Sequence, residues 1–231
     1  MKDKQAPDCL PLLFSEPKTG TGSRPSVFLA FTLQPAPEDF FNNGLTPREQ
    51  EDVVRRTQKG QRQFLQSRWL LKQLVGSQLA ISAQRYSSLF EQDTGRVALT
   101  GELQLHKWCV SLSHSHNASA AIVSSVPYTP LGVDVEWFKP SRPWVEMADV
   151  CLGPAESEQL AQLQKAEGFY RYWTQKEALA KATGKALSEL FQVDSSAVAR
   201  DHGLSLYSCY CAQYAVSCVI PHGHHLYAYH V

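Results

Sequence analysis

The sequence has no surplus of charge of either sign: Lys and Arg number 22, Asp and Glu number 22, and the formal net charge is zero. A chain that coats DNA, RNA or an anionic membrane gains affinity from each phosphate it neutralises, so this balance argues against those partners. No run approaches the about 18 consecutive apolar residues that span a bilayer. The opening MKDKQAPDCLPLLF has two lysines but only a short, proline-broken apolar stretch, too weak for a signal peptide. The six cysteines (Cys9, Cys109, Cys151, Cys209, Cys211 and Cys218) include no CxxC pair, and 231 residues can bury a core without staples. Reduced thiols and a soluble, cytoplasmic protein are therefore expected. Alternation along a strand accounts for Cys209 and Cys211 better than a disulfide or a metal site. What remains is ordinary globular composition, 43% hydrophobic and 19% charged, which excludes wholesale disorder.

Residues 1–25, rich in Pro, Gly, Ser and Thr, read as a flexible tail. Structure is expected to begin with a strand at 26–33, SVFLAFTL. Thr46-Pro47-Arg48-Glu49 then has the form of a helix start, with Thr46 as cap, Pro47 in the first turn and Glu49 completing a capping box. A second helix, about 61–79, keeps Phe64, Leu65, Trp69, Leu71 and Leu74 at helical spacing. Strands at 87–91 and 96–99 flank a tight turn at Asp93-Thr94-Gly95, and another strand covers 108–112. Residues 118–123 and 131–137 suggest a hairpin around the 127–130 loop. Helices follow at 154–163 and 168–183, the second stopped by Gly184, and three short strands fill 204–231. Strand, helices, strands occurs twice, which predicts α+β with two similar halves joined near 125–130. No short fixed period is present, so a solenoid is not expected.

Three segments could carry chemistry. In Gly132-Val133-Asp134-Val135-Glu136, a strand points Asp134 and Glu136 to one face, about 7 Å apart. Such a pair of hard oxygen donors suits Mg²⁺, although a bare D-x-E is more often a solvated strand face. In Trp173-Thr174-Gln175-Lys176-Glu177-Ala178-Leu179-Ala180-Lys181, Glu177 and Lys181 are spaced as a surface ion pair. Their helix is apolar over so much of its circumference that it must be packed inside the protein, and a carboxylate there needs a cation. A metal shared with Asp134 and Glu136 would supply one. In Ser111-Leu112-Ser113-His114-Ser115-His116, hydroxyls and imidazole at a strand end can hold phosphate oxygens, or form no more than a polar loop. A serine nucleophile is disfavoured there, since GxSxG is absent.

In this order and spacing, with Trp173 following Glu136 by 37 residues, the GVDVE, WTQKEALAK and SHS segments resemble the 4'-phosphopantetheinyl transferases. The likeness is to the larger type resembling the surfactin-synthetase activator, and it extends over residues 26–231. Ala186 stands where that family often has a second glycine. The resemblance implies that Asp134, Glu136 and Glu177 hold Mg²⁺ (or Mn²⁺), Glu136 directly or through water. It implies that Lys181 contacts the coenzyme A pyrophosphate, that Ser113 and His114 bind coenzyme A phosphates, and that Arg68 faces the nucleotide. Arg96 falls at the basic position of the family's Gly-Lys-Pro turn, with the proline missing here. Arg55 and Arg56 fall among further basic positions on too loose an alignment to be assigned.

The implied fold is a pseudo-twofold arrangement of two similar halves, each a small, mostly antiparallel sheet packed on helices, with coenzyme A between them. Residues 26–128 would bind its phosphates, and 129–231 would carry the carboxylates and the catalytic helix. The implied reaction moves the 4'-phosphopantetheine arm of coenzyme A to a serine of an apo carrier protein, acyl or peptidyl, and releases adenosine 3',5'-bisphosphate. Asp134, Glu177 and Lys181 would be the catalytic residues. Carriers of fatty acid, polyketide and nonribosomal peptide synthesis all present such a serine. A chain holding both halves is expected to act as a monomer. The competing reading is a non-catalytic coenzyme A or carrier-protein binding module of the same fold; a nuclease is disfavoured by the neutral charge. Of the remaining features, His222, His224, His225 and His230 read as solvated histidines rather than a metal site, and Trp137, Phe138 and Trp144 as core.

Overall fold

A computed structural model describes residues 25–79, 81–91, 96–101 and 107–231. The tail expected over 1–25, apart from Pro25, and the turn at Asp93-Thr94-Gly95 lie outside the described residues. The first half comprises β1 (Ser26–Thr32), α1 (Phe40–Asn43), α2 (Pro47–Val54), α3 (Gln58–Leu79), β2 (Tyr86–Glu91), β3 (Arg96–Gly101), β4 (Cys109–Ser115) and β5 (Ala118–Ser124). The second comprises β6 (Gly132–Trp137), α4 (Trp144–Cys151), α5 (Pro154–Leu163), α6 (Ala166–Thr183), α7 (Ser195–Asp201), β7 (Leu204–Cys211), β8 (Tyr214–Pro221) and β9 (His225–His230).

The strand orders are β4-β5-β1-β9, β6-β8-β7 and a separate β2-β3 pair. Within them, β1-β5-β4 and β6-β8-β7 are the same antiparallel three-stranded motif, built once by each half. The fold is therefore α+β with two similar halves, as expected. One strand breaks the equivalence: β9 leaves the second half and pairs in parallel with β1.

Alternating side chains explain how these sheets stack. Val27, Leu29 and Phe31 of β1 and Ala120 and Ile122 of β5 meet Val133 and Val135 of β6 and Val216 and Cys218 of β8 in one core between the sheets. On the far side of the first sheet, Leu70, Leu71 and Leu74 of α3 cover Ala30, Ala121 and Val123. On the far side of the second, Ala178, Leu179 and Ala182 of α6 pack with Val219. The layers run α3, sheet, sheet, α6.

Local chemistry sets several boundaries where they were anticipated. The Thr46 hydroxyl accepts from the Glu49 N–H, and the Glu49 carboxylate accepts from the Thr46 N–H at 3.0 Å, closing the capping box of α2. Gly184 ends α6 with a φ of 75°, a left-handed conformation suited to glycine. Two expectations need correction. Residues 118–123 and 131–137 do not form a hairpin: β5 lies between β4 and β1, while β6 pairs with β8 in the other sheet. Every residue of β5 is buried, so it requires covered faces and a partner on each side, which β4 and β1 provide. Nor does β4 stop at Leu112; it runs to Ser115, so Ser113 and His114 belong to a strand rather than to a loop.

That extension joins the halves. The hydroxyls of Ser111, Ser113 and Ser115, all on one face of β4, accept from the N–H groups of Val133, Val135 and Trp137 at 3.2, 3.3 and 3.1 Å. These side chains satisfy the edge of β6 that faces away from β8. Gly132, which opens β6, allows the strand to lie against α6: a Cβ there would sit 2.0 Å from the Ala178 carbonyl oxygen. Gly132→Ala should accordingly destabilise the protein by about 2–3 kcal/mol through overpacking against backbone. Urea unfolding should show a lower midpoint at an unchanged m value.

Candidate active site

The serine face of β4, the carboxylate face of β6 and one side of α6 meet at the junction of the halves. Lys181, in the last turn of α6, donates to Asp134 Oδ1 at 2.8 Å and to the Val133 carbonyl at 2.9 Å. Ser113 Oγ donates to the same Asp134 oxygen at 2.7 Å. The other oxygen, Oδ2, is buried and has no hydrogen-bond partner among the described residues. Glu136 accepts from Ser115 Oγ at 3.1 Å and from Arg142 Nη2 at 3.4 Å, and the Arg142 guanidinium lies over the Tyr170 ring.

Electrostatics tie Glu177 to this group. Burial raises its pKa first, Asp134 and Glu136 raise it further, and Lys181 opposes them. Glu136 is raised in the same way by burial and by Asp134, against Arg142. Among the described residues, however, no three acidic, histidine or cysteine side chains form a group able to hold a metal ion. Asp134 is instead held on Lys181, and Glu136 on Arg142. The donor chemistry still fits a hard divalent cation: all the donors are carboxylate oxygens, and Asp134 Oδ2 is a buried acceptor with nothing to accept from.

Beside these carboxylates opens a cleft of about 1160 Å³, walled by both halves. Arg68, Arg96, Ser113, His114 and Lys181 all line it. Arg68 is buried on α3, donates from Nε to the Ser88 carbonyl at 3.1 Å and stacks over Phe64. Burial pulls its pKa down to about 10, against the attraction of Glu49. Arg96 donates to the Ala182 carbonyl at 3.4 Å, bringing the β3 strand to the end of α6. His114 is exposed to the cleft, on the face of β4 opposite the three serines. The protein around it lowers its pKa, and Lys181, Arg68 and Arg56 add to the effect. The cleft is thus a pocket of convergent positive charge opening onto a carboxylate cluster, an arrangement suited to an anionic, phosphate-rich ligand.

Some residues stand elsewhere. Phe138 and Trp144 are half-buried in a separate cluster with Tyr170 and Trp173, and Trp137 packs against His116 with the rings tilted. His222 bonds Ser205, and His225 packs on Tyr227. Two cationic groups gained no assignment from the sequence. Arg56 lines the cleft with its guanidinium over the Phe64 ring, and its basic position was the available signal. Arg142 reaches Glu136 from a loop and left no pattern to find.

Residues 130–229 match the family model described as the 4'-phosphopantetheinyl transferase superfamily. That span is 100 of the chain's 231 residues, just under half. The matched span holds β6, α6 and all three carboxylates. The 4'-phosphopantetheinyl transferase HetI of Nostoc sp. strain PCC 7120 is 31% identical over 137 residues, covering 58% of this chain and 56% of its own. The 4'-phosphopantetheinyl transferase AcpT of Escherichia coli K12 is 30% identical over 107 residues, covering 45% and 52%. The chain spans about half the length of these curated relatives. The crystal structure of Thermotoga maritima holo-[acyl-carrier-protein] synthase is 22% identical with a TM-score of 0.36, covering 48% of this chain and 69% of that one, too loose a likeness to support a structural argument. Among the described residues, no helix is long and apolar enough to cross a membrane.

The depressed pKa of His114 has a consequence for stability. The unfolded chain binds the proton first as pH falls through the ordinary value of 6.5, so the folded state loses ground from there downward. His114→Asn should therefore lose less stability than the parent on acidification, with no difference above that value. Thermal unfolding of both proteins between about pH 8 and pH 5 measures this.

Proposed function

We propose that the chain transfers the 4'-phosphopantetheine arm of coenzyme A to a serine hydroxyl of an apo acyl or peptidyl carrier protein, in the manner of the larger transferases resembling the surfactin-synthetase activator. Adenosine 3',5'-bisphosphate is the other product. The observation that carries this reading is the buried, unpartnered Oδ2 of Asp134, set beside a basic cleft by the Lys181 and Ser113 contacts. Residues 26–128 contribute Arg68, Arg96, Ser113 and His114 to the coenzyme phosphates. Residues 129–231 contribute the carboxylates and the helix bearing Glu177 and Lys181. Because the two halves wall one cleft, a single chain is sufficient, and the working state is a cytoplasmic monomer.

Asp134, Glu136 and Glu177 would hold Mg²⁺ or Mn²⁺. Such an ion would neutralise charge on the diphosphate as its P–O–P bridge breaks. The chain's own groups do the rest. Arg68, Arg96 and Lys181 hold phosphate oxygens and fix the diphosphate for in-line attack. The serine oxygen of the carrier bonds to the phosphorus next to pantetheine, and the bond from that phosphorus to the nucleotide breaks. Glu177 accepts the serine proton; its raised pKa makes it a better acceptor than an ordinary carboxylate while it is ionised. Lys181 faces the charge that develops on the departing nucleotide.

Mass spectrometry of several apo carriers, incubated with the protein, coenzyme A and Mg²⁺, should show the mass of the phosphopantetheine arm added to at least one. No mass gain on any carrier overturns the reading. Glu177→Gln should reduce transfer by roughly 100-fold or more while calorimetry still detects coenzyme A binding. Lys181→Ala should slow transfer by a similar order with little change in unfolding midpoint; a collapse of stability would assign the lysine a structural role. Chelation with EDTA should stop transfer, and Mg²⁺ should restore it.

A further inference from the structure

Each half contains the same buried ion pair, bonded in the same way. In the first half, Glu49 Oε2 accepts from the Thr46 N–H at 3.0 Å and from Lys72 Nζ at 2.7 Å, and Oε1 accepts from the Ser88 N–H at 2.9 Å. Lys72 also donates to the carbonyls of Ala83 and Tyr86 at 2.7 and 3.0 Å. In the second half, Glu156 Oε2 accepts from the Gly153 N–H at 3.0 Å and from Lys176 Nζ at 2.8 Å, and Oε1 accepts from the Ser195 N–H at 2.7 Å. Lys176 also donates to the carbonyls of Leu190 and Val193. Both glutamates are the third residue of a short helix that begins with proline. Both serines follow their glutamate by 39 residues. Both lysines end a W-x-x-K frame on the long helix, Trp69-Leu70-Leu71-Lys72 and Trp173-Thr174-Gln175-Lys176.

The side chains of both lysines and of Glu49 are fully buried, and that of Glu156 is 6% exposed. A buried ion pair is a poor source of stability, since well-packed apolar residues do as well or better. What it supplies is geometry. One ammonium tied to a carboxylate and two carbonyls leaves the long helix little freedom to roll about its axis. Each pair also stands next to groups in the cleft. Arg68 lies one turn before Lys72 on α3, and its Nε donates to the carbonyl of Ser88, whose N–H and Oγ both bind Glu49. Lys176 immediately precedes Glu177 and comes five residues before Lys181 on α6. The shared frame places Gln73 and Ser77 of the first half where the second has Glu177 and Lys181. The ion pair is present in both copies, the ionisable pair in one.

We propose that Glu49–Lys72 and Glu156–Lys176 are twin positioning devices, the first aiming Arg68 at the coenzyme phosphates and the second setting the roll of α6 that points Glu177 and Lys181 at Asp134. The assignment of their targets rests on the transferase reading above. Two double variants test it, Glu49→Gln/Lys72→Met and Glu156→Gln/Lys176→Met, which remove both charges of a pair and keep its bulk. The first should raise the KM and the calorimetric Kd for coenzyme A about tenfold with kcat within about twofold. The second should lower kcat about tenfold and leave the coenzyme A Kd within about twofold. Parallel loss of both parameters in step with a fall in Tm, or no change in either, overturns the proposal. Should a double variant not fold, Glu49→Asp and Glu156→Asp, each shortening the contact by one methylene, are read by the same split. A further readout needs no transfer at all. Hydrogen exchange of the Arg68 Nε proton, followed by NMR, should quicken about tenfold in the Glu49 variant, because its acceptor carbonyl is no longer fixed. Unchanged exchange overturns the first device even if the chain proves to transfer nothing, and quickened exchange in a chain without transferase activity upholds the device while removing the function proposed for it.

Discussion

The contact between Lys181 and Asp134 spans two elements, and it exists because β6 lies against the backbone of α6 where Gly132 has no side chain. With the strand and helix so close, a lysine near the helix end reaches both the carboxylate and the carbonyl before it. The cluster depends on this approach. Asp134 is nearly buried, and a buried carboxylate is tolerable only where cations or donors face it. Ser113 and Lys181 face one of its oxygens, and the other has no hydrogen-bond partner among the described residues.

The edge serines of β4 extend the same constraint to the other half. By accepting three consecutive outward N–H groups of β6, they hold the two sheets in a register that puts Ser113 opposite Asp134 and Ser115 opposite Glu136. The strand's alternation then turns His114 away from the carboxylates and into the cleft, among Arg56, Arg68 and Lys181. A single run of alternating small and imidazole side chains thus separates a cluster of carboxylates from a cleft lined by cationic side chains.

Much of this was readable from the sequence because it rests on local rules. Thr46 and Glu49 form their capping box, Gly184 stops α6, and the GVDVE strand and the Glu177 helix adopt the forms their patterns imply. Pairing across the chain was harder to see. Ser-His-Ser-His reads as a polar loop until the edge of β6 is known to need acceptors, and β5 reads as a partner for β6 until its two covered faces are known. The W-x-x-K frame occurs in both halves, but the helix arrives three residues sooner after its glutamate in the second copy, which hides the repeat from any fixed spacing. Arg142 is seen only in three dimensions, since its position six residues beyond Glu136 follows no periodic rule.

The crossing of β9 to lie beside β1 bears on how the molecule comes to be assembled. Ser26 is aligned with His225, and Thr32 donates to the carbonyl of Val231, so these partners are 199 residues apart. During synthesis the first half can shape its hairpin and helices early, but the outer edge of β1 stays open until β9 has emerged from the ribosome. Closure over so long an intervening chain is slow compared with local pairing. For that interval an unpaired hydrophobic strand edge is available to other chains, and chaperones are best placed to act on this protein then.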